Sequence, residues 1–308
     1  MQVLAISNAK ARAIAKKGPQ IKTTHLPNGA VHHITHNHED LTAILRKAAE
    51  KQKLKHLIIE GGDGTVRTVM TALMSSYDQA HTLPAISILP GGTTNQIARN
   101  IGVKKITDLK RISQGHRKII ETPLVQIKIP DQKNRFGFLF STGALPYVSK
   151  FAQTKLNEKG VGGGSAVLGA VLKAVCSDRE ALMPPQQHSM RAKIGDTKIT
   201  SHEGKILGTV MTTLPYLMMG LDPFWGTEDA ALRLTWAEAE SQKLARTIAS
   251  LWIGRKQDRS AAGYHSHNVD QITIKTKAPT VLDGDFIDLE DISFTVTTSR
   301  PVTFWQAN

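Results

Sequence analysis

Along the first 120 residues of the chain, short apolar runs alternate with segments whose apolar residues recur at helical spacing. Short apolar runs at Val3–Ser7, at Leu57–Ile59 and in PAISILP from Pro84 predict buried strands. Between them, DLTAILRKAAEKQ from Asp40 and VRTVMTAL from Val66 repeat apolar residues at helical spacing, and Asp40 is the predicted helix cap. This order of strands and helices predicts an α/β domain with a parallel sheet at residues 1–121.

From Thr122 onward the pattern changes to short segments in which apolar and polar residues alternate with a period of two. Such segments predict strands of an antiparallel sheet. They are LVQIKI, FGFLFSTG, MRAKIG, KILGTVMTTLPYL, ALRLTWA, QITIKT and ISFTVTT. One helix is predicted at SQKLARTIASLWIG. The sequence therefore predicts a second, largely antiparallel β-rich domain at residues 122–308, whose last strand can return to the first domain.

Two glycine-rich turns each lie between a predicted strand and a predicted helix. The first consists of Gly61, Gly62, Asp63, Gly64 and Thr65, and the second of Gly91, Gly92, Thr93, Thr94 and Asn95. Glycine lets the backbone approach a ligand closely, and the free N–H groups at a helix start attract phosphate. In a parallel sheet both turns lie beyond the carboxyl ends of the strands, where ligands bind. We predict a phosphate-binding site there; the alternative is that each turn only joins a strand to a helix.

A run of acidic residues stands near the end of this basic chain. VLDGDFIDLED, from Val281 to Asp291, holds five carboxylates and no basic residue. Phosphoryl transfer needs oxygen ligands for magnesium and a carboxylate that orients or deprotonates the attacking hydroxyl. Asp283 and Asp285 flank a glycine, so a tight turn could bring both carboxylates to such a site; an exposed acidic hairpin is the alternative. Asp63 could likewise orient a hydroxyl or hold its own loop.

Composition and charge narrow the function classes. The net charge of +13 favours nucleic acid, an anionic membrane surface or a phosphorylated ligand. Nucleic acid is disfavoured because aromatic residues make up only 5% and paired cysteines are missing. The single cysteine, Cys176, and the lack of a long apolar run predict a cytoplasmic chain with neither a disulfide nor a membrane span. The basic segment Gly102–Lys118 is either a solvated helix face or a docking site for anionic lipid.

Two further patterns have a functional and a structural interpretation. His36 and His38 could form a zinc pair on one face of a strand, or they are ordinary surface histidines. The apolar segment GVGGGSAVLGAVLKAV from Gly160 could open to take an acyl chain, or it could pack as a helix inside the second domain.

The sequences of the two glycine turns, and their order in the chain, resemble those of a known protein family. GGDGT followed by PGGTTNQIAR resembles the catalytic domain of diacylglycerol and sphingosine kinases and their soluble bacterial lipid-kinase relatives, whose second turn usually reads P-x-G-T-x-N-D-x-A-R. The resemblance is close from Leu57 to Gly102. Beyond it, FLFSTG, GGGSAVLGAVLKA, TEDAALRLTW and VLDGDF follow the family order, the last in the place of the family's D-G-E.

The resemblance implies a two-domain kinase with ATP in the cleft, where both glycine turns hold the nucleotide, Mg²⁺ bridges its phosphates and a lipid hydroxyl enters from the second domain. Asp285, in the place of the family's glutamate, would be the general base or a metal-organising carboxylate, with Asp63 acting on the same hydroxyl. Asp229 stands near the acidic turn associated with a structural magnesium, and Asp283 is the second candidate metal ligand.

The sequence thus predicts an ATP-dependent lipid kinase of phospholipid metabolism, acting on a diacylglycerol-like or sphingoid lipid. We expect a cytoplasmic enzyme that associates peripherally with anionic membranes, and homodimer formation stays open. Three departures from the family pattern bear on catalysis: Gln96 replaces an aspartate, Asp285 is shorter than glutamate, and Ala230 replaces a glycine. One alternative is a soluble-substrate kinase resembling NAD kinase, against which T-N-x-x-A-R from Thr94 argues. The other is a nucleotide- or lipid-binding protein without catalysis.

Overall fold

The computed structural model of the chain describes residues 2–50, 53–77, 81–143, 146, 184–196, 198–217, 221–252 and 257–308. The chain divides into two compact units. The first unit consists of residues 1–124 and 299–308, and the second of residues 125–298. Among the described residues, no helix has both the length and the apolar character needed to cross a bilayer.

Helices and strands are numbered along the chain. The α-helices of the described residues are α1 (Arg12–Lys17), α2 (His38–Glu50), α3 (Asp63–Ser76), α4 (Gln96–Ile101), α5 (Asp108–Ser113) and α6 (Leu244–Trp252). The strands are β1 (Val3–Asn8), β2 (Val31–Thr35), β3 (His56–Gly61), β4 (Ala85–Pro90), β5 (Arg117–Lys128), β6 (Arg135–Gly137), β7 (Leu139–Gly143), β8 (Gln186–Ile194), β9 (Lys198–Thr212), β10 (Leu232–Glu238), β11 (Tyr264–Val269), β12 (Gln271–Thr276), β13 (Thr280–Leu282), β14 (Asp285–Ile287) and β15 (Ser293–Ala307).

The first unit is built on a parallel sheet. Its strands lie in the order β4–β3–β1–β2, and all of these pairs are parallel. The end of β15 extends this sheet through a parallel pairing of Phe304 with Ile86. Every residue of β3 is buried, as expected for a central parallel strand that is covered on both faces. Helices α2 and α3 pack against each other, and α3 also contacts β3.

The start of α2 differs from the sequence prediction. The helix begins at His38, so Asp40 lies within its first turn. The backbone N–H of Asp40 donates to Oδ1 of Asn37 at 2.7 Å. The prediction of Asp40 as the cap is therefore wrong. Asn37 satisfies the free N–H group, and Asp40 adds negative charge to the first turn, where it is favourable.

The second unit is built from antiparallel strands, and its long strand β9 pairs with three others, β7, β8 and β10. The first half of β9 pairs with β8, whereas its second half lies between β7 and β10. Strand β12 pairs with β8 and β15, and β11 pairs with β10. Side chains from most of these strands, with Phe140, Trp236 and Phe294 among the largest, form one buried core. The predicted fold class, a parallel α/β part followed by an antiparallel β-rich part, is confirmed.

Candidate functional site

The two glycine turns of the first unit pack directly against each other. The backbone N–H of Gly91 donates to the carbonyl of Gly61 at 2.8 Å. A Cβ atom on Gly92 would lie 2.5 Å from the Cα of Gly62, and real Cβ atoms essentially never approach another atom that closely. Both turns therefore need glycine for their contact with each other, before any ligand is considered. Gly64 differs, because a Cβ atom there would meet nothing within 4 Å.

Asp63 fastens the first turn to the helix that follows the second. Its carboxylate accepts hydrogen bonds from the backbone N–H groups of Gln96 at 3.0 Å and Ile97 at 2.9 Å. These are N–H groups of the first turn of α4, which have no partner within the helix. Asp63 thus acts as the N-terminal cap of α4 from a distant part of the sequence.

Asn95 closes the second turn on itself. Its backbone has a positive φ of 49°, a conformation that asparagine tolerates better than most residues. The side-chain oxygen accepts from the N–H of Gly92 at 2.8 Å, and the side-chain amide donates to the carbonyl of the same glycine at 3.0 Å. Thr93 and Thr94, between these two residues, are exposed. Their exposed hydroxyls are candidate donors to a ligand at the tip of the turn.

The segment after β1 is anchored to both turns. The side-chain amide of Asn8 donates to Oγ1 of Thr65 at 2.8 Å, and the N–H of Ala13 donates to the carbonyl of Gly91 at 3.0 Å. Between these anchors Lys10 and Arg12 are exposed. The turns therefore lie next to two exposed cations and the N-terminus of α3, an arrangement that attracts phosphate.

A buried carboxylate lies directly before the first turn. Glu60 is fully buried and accepts hydrogen bonds from the hydroxyl of Ser7 at 2.6 Å and from the N–H of Gln20 at 2.7 Å. Nε2 of His32 lies 2.8 Å from the same hydroxyl. Burial lowers the pKa of His32, although the charge of Glu60 partly opposes this effect. The network fixes the end of β3 against β1 and β2, a role that the sequence analysis did not identify.

In the second unit, Asp283 and Gly284 form the two-residue turn between β13 and β14. Both have positive φ angles, 50° and 92°, as an Asp-Gly hairpin turn requires. The carboxylate of Asp283 accepts hydrogen bonds from the backbone N–H groups of Phe138 at 3.0 Å and Leu139 at 2.8 Å. Asp283 therefore holds the hairpin to the start of β7. Asp285 follows the turn as an exposed residue of β14, and among the described residues this strand pairs with β13 alone.

The acidic turn before β10 contains Glu228 and Asp229. The Glu228 side chain is partly buried and accepts hydrogen bonds from Nδ1 of His267 at 2.6 Å and the N–H of Asn268 at 2.9 Å. Burial raises the pKa of Glu228, but the bonds from His267 and Asn268 outweigh it and lower the pKa to about 2. Asp229 is exposed. No group of three His, Cys, Asp or Glu side chains suited to a metal ion occurs among the described residues.

Residues 2–126 match the family model described as the diacylglycerol kinase catalytic domain. This part of the chain is therefore similar to the diacylglycerol kinase catalytic domain. A protein of Streptococcus pneumoniae serotype 4 (strain ATCC BAA-334 / TIGR4), provisionally named a lipid kinase, is 32% identical over 116 residues, which cover 37% of this chain and 35% of that protein. The provisionally named lipid kinase YtlR of Bacillus subtilis (strain 168) is 31% identical over 85 residues, covering 28% of this chain and 26% of YtlR. The aligned part thus spans about a third or less of these curated relatives.

Solved structures show the same fold over almost the whole chain. A crystal structure described as a diacylglycerol kinase from Bacillus anthracis str. Sterne matches with a TM-score of 0.63 and 17% sequence identity, covering 98% of this chain and 96% of that one. A second structure from the same organism, provisionally described as a diacylglycerol kinase, matches with a TM-score of 0.67 and 18% identity over the same shares of both chains. At this level of identity the likeness establishes the fold.

The structure brings the predicted site residues of the first unit into one cluster. Gly61 to Thr65 and Gly91 to Asn95 lie together, and Asp63 joins the two turns. In the second unit, Asp283 and Asp285 share one hairpin, whereas Asp229 belongs to another loop. The predicted acyl-chain segment from Gly160 and the side chain of His38 lie outside the described residues.

Proposed function

We propose that this protein is an ATP-dependent lipid kinase that transfers the γ-phosphoryl group to a hydroxyl of a diacylglycerol-like or sphingoid lipid. The observation that carries the proposal is the packing of two glycine turns, tied together by Asp63, within a part of the chain similar to the diacylglycerol kinase catalytic domain. This packing presents exposed donors at the carboxyl ends of β3 and β4, where parallel sheets bind ligands.

The nucleotide phosphates would bind to the glycine turns. The N–H groups at the start of α3 and the hydroxyls of Thr93 and Thr94 are suitable donors, and the open space beside Gly64 lets a phosphate approach the backbone. When bound with ATP, Mg²⁺ would neutralise charge on the phosphates. The first unit favours such an anion, since it carries 19 Lys and Arg against 8 Asp and Glu.

Asp285 is the proposed general base. The acceptor hydroxyl gives its proton to the Asp285 carboxylate while its oxygen bonds to the γ-phosphorus; the bond from that phosphorus to the β–γ bridging oxygen breaks, and ADP leaves with the electron pair. Asp63 takes a different part, because its carboxylate already accepts two backbone hydrogen bonds. We assign Asp63 as a positioning residue for both turns.

The lipid acceptor requires the enzyme to visit a membrane surface. The basic segment that begins at Gly102 contributes exposed Lys104, Lys105, Lys110, Arg111 and Lys118 in the first unit. Exposed lysines and arginines near an anionic surface each contribute about 1 kcal/mol of attraction. We propose this segment as the contact with anionic lipid.

Transfer of labelled γ-phosphate from ATP to lipids in mixed micelles tests the proposal. Asp285→Ala should lower the rate about 100-fold or more, as loss of a general base does. Asp288→Ala is the matched control, because Asp288 is also exposed and lies three residues further along, just after β14. Equal rates in both variants would contradict the assignment of Asp285. ATP binding without transfer to any acceptor would favour a binding protein.

A further inference from the structure

The acidic turn at Glu228 is fastened to β11 through backbone and side-chain groups. The N–H groups of Trp225 and Gly226 donate to Oγ of Ser266 at 3.0 and 3.2 Å. The side-chain amide of Asn268 donates to the carbonyls of Gly226 at 3.3 Å and Glu228 at 2.9 Å. A Cβ atom on Gly226 would lie 2.6 Å from the backbone nitrogen of Asn268, so the loop lies flat against the strand.

The oxygens of Glu228 already have hydrogen-bond donors and one lysine as neighbours. Oε1 accepts from Nδ1 of His267 at 2.6 Å and lies 3.6 Å from Nζ of Lys198, and Oε2 accepts from the N–H of Asn268 at 2.9 Å. Both oxygens of the carboxylate therefore already accept a hydrogen bond, and Oε1 also has a basic side chain beside it. N–H groups and ammonium groups are not metal ligands, and Mg²⁺ requires a near-octahedral set of oxygens.

The other predicted metal ligands do not complete such a set. The Asp229 side chain is exposed. The Asp283 carboxylate already accepts hydrogen bonds from the N–H groups of Phe138 and Leu139. The donor set around this turn therefore does not fit the structural magnesium that the family resemblance implies.

We infer that His267 and Lys198 take the place of a structural metal ion at this turn. Lys198 supplies positive charge beside Glu228, and the hydrogen bond from His267 holds residues 225–228 on β11, so this loop keeps its conformation without a divalent cation. The inference concerns only this loop of the second unit and goes beyond the proposed function. Magnesium bound with ATP is a separate matter.

A neighbouring pair on the same strand provides a matched control. Nε2 of His265 lies 2.8 Å from Oε1 of Glu238, and both His265 and His267 stack on Trp236. Glu238, however, lies on β10, the strand that pairs directly with β11. The His265 pair therefore joins two adjacent strands and fastens no separate loop.

Hydrogen exchange of residues 222–230, measured in EDTA and in millimolar Mg²⁺, tests the inference. The wild-type rates should be equal in both buffers, and His267→Ala should speed exchange of this loop roughly tenfold, the effect of losing one charge-assisted hydrogen bond. His265→Ala should leave the loop rates unchanged. Glu228→Gln, which keeps the size of the side chain, serves as the second variant and should also speed exchange.

Two results would overturn the inference. One is a wild-type loop whose hydrogen exchange is slower in Mg²⁺ than in EDTA, with this difference lost in Glu228→Gln. The other is equal exchange in His267→Ala and His265→Ala. Thermal unfolding of each variant shows whether the second unit remains folded, so a general loss of structure is distinguished from a local opening of the loop.

Discussion

The carboxylate of Asp63 accepts a hydrogen bond from the backbone N–H of Gln96 at 3.0 Å, across 33 residues of sequence. The same carboxylate also accepts from the next N–H, that of Ile97. Because these groups begin α4, one side chain sets the position of the second glycine turn relative to the first. The geometry of the proposed phosphate site therefore depends on Asp63, whether or not this residue contacts a substrate.

Substitution of Asp63 separates a positioning role from a catalytic one. Asn and Asp are comparable helix caps, so Asp63→Asn should keep most of the stability and the pH profile of kcat. Asp63→Ala should cost about 1–2 kcal/mol of unfolding free energy and raise KM for ATP. Denaturant unfolding and steady-state kinetics measure both effects. Asp108→Ala is the control, since Asp108 accepts from the N–H of Lys105 at the start of α5. A 100-fold fall of kcat in Asp63→Asn would identify Asp63 as a base instead.

The two glycine turns predict opposite results for two glycine substitutions. Gly92→Ala should destabilise the first unit, because the added Cβ atom would meet the Cα of Gly62 at 2.5 Å. Gly64→Ala should leave thermal stability unchanged or slightly higher, since its Cβ atom meets nothing and alanine favours the helix. ATP binding, followed by calorimetry, should nevertheless weaken in Gly64→Ala, because the methyl group occupies the approach to the backbone. Unchanged ATP binding in Gly64→Ala would place the phosphates elsewhere.

The sequence predicted the elements of the fold better than the contacts between them. The apolar runs identified β3 and β4, and the glycines identified the turns, because both signals are local. The hydrogen bond from the backbone N–H of Gln96 to the carboxylate of Asp63 could not be predicted, since it depends on how two distant loops pack. The pattern also could not distinguish glycines that contact each other, such as Gly62 and Gly92, from a glycine beside open space.

For the acidic residues, too, the sequence predicted the local turn but not the contacts with distant segments. The Asp-Gly pair correctly indicated a tight turn, because that turn chemistry is local. The partners of Asp283 are backbone groups of Phe138 and Leu139, almost 150 residues earlier, which no local pattern reveals. The pairing of Glu228 with His267 likewise arises only when β11 lies beside the acidic turn.

Two buried histidines predict a loss of stability in mild acid. The pKa of His56 and that of His188 are each lowered from 6.5 to about 4, mainly because both side chains are buried. The unfolded chain therefore binds more protons than the folded chain between these values, and stability is lost as the pH falls from 6.5 toward 4. At pH 5 the loss should be roughly 2 kcal/mol for each histidine.

Urea unfolding at pH 7 and pH 5 measures this effect. His56 bonds to Ser87 and His188 to Thr142 through Nε2, so glutamine can retain part of each contact without titrating. His56→Gln and His188→Gln should each reduce the difference between the two pH values. His116→Gln, at an exposed position, is the control. An unchanged difference in both buried variants would show that these histidines do not cause the acid sensitivity.

The basic segment of the first unit predicts binding to anionic vesicles. The double variant Lys110→Glu with Arg111→Glu should weaken sedimentation with phosphatidylserine vesicles at least about tenfold, because two attractive charges become repulsive. Lys128→Glu with Lys133→Glu changes the net charge equally at exposed positions of the second unit. Equal losses in both double variants would show a general charge effect rather than a docking surface.

The identity of the acceptor distinguishes a lipid kinase from a kinase of a soluble substrate. Purified protein with Mg²⁺ and γ-labelled ATP would be given, in parallel, a diacylglycerol in mixed micelles, a sphingoid base in mixed micelles, and NAD in solution. We expect that label enters one of the lipids, that NAD stays unlabelled, and that Asp285→Ala lowers the rate of lipid labelling about 100-fold or more. Labelled NAD with unlabelled lipids would contradict this expectation and establish a kinase of a soluble substrate.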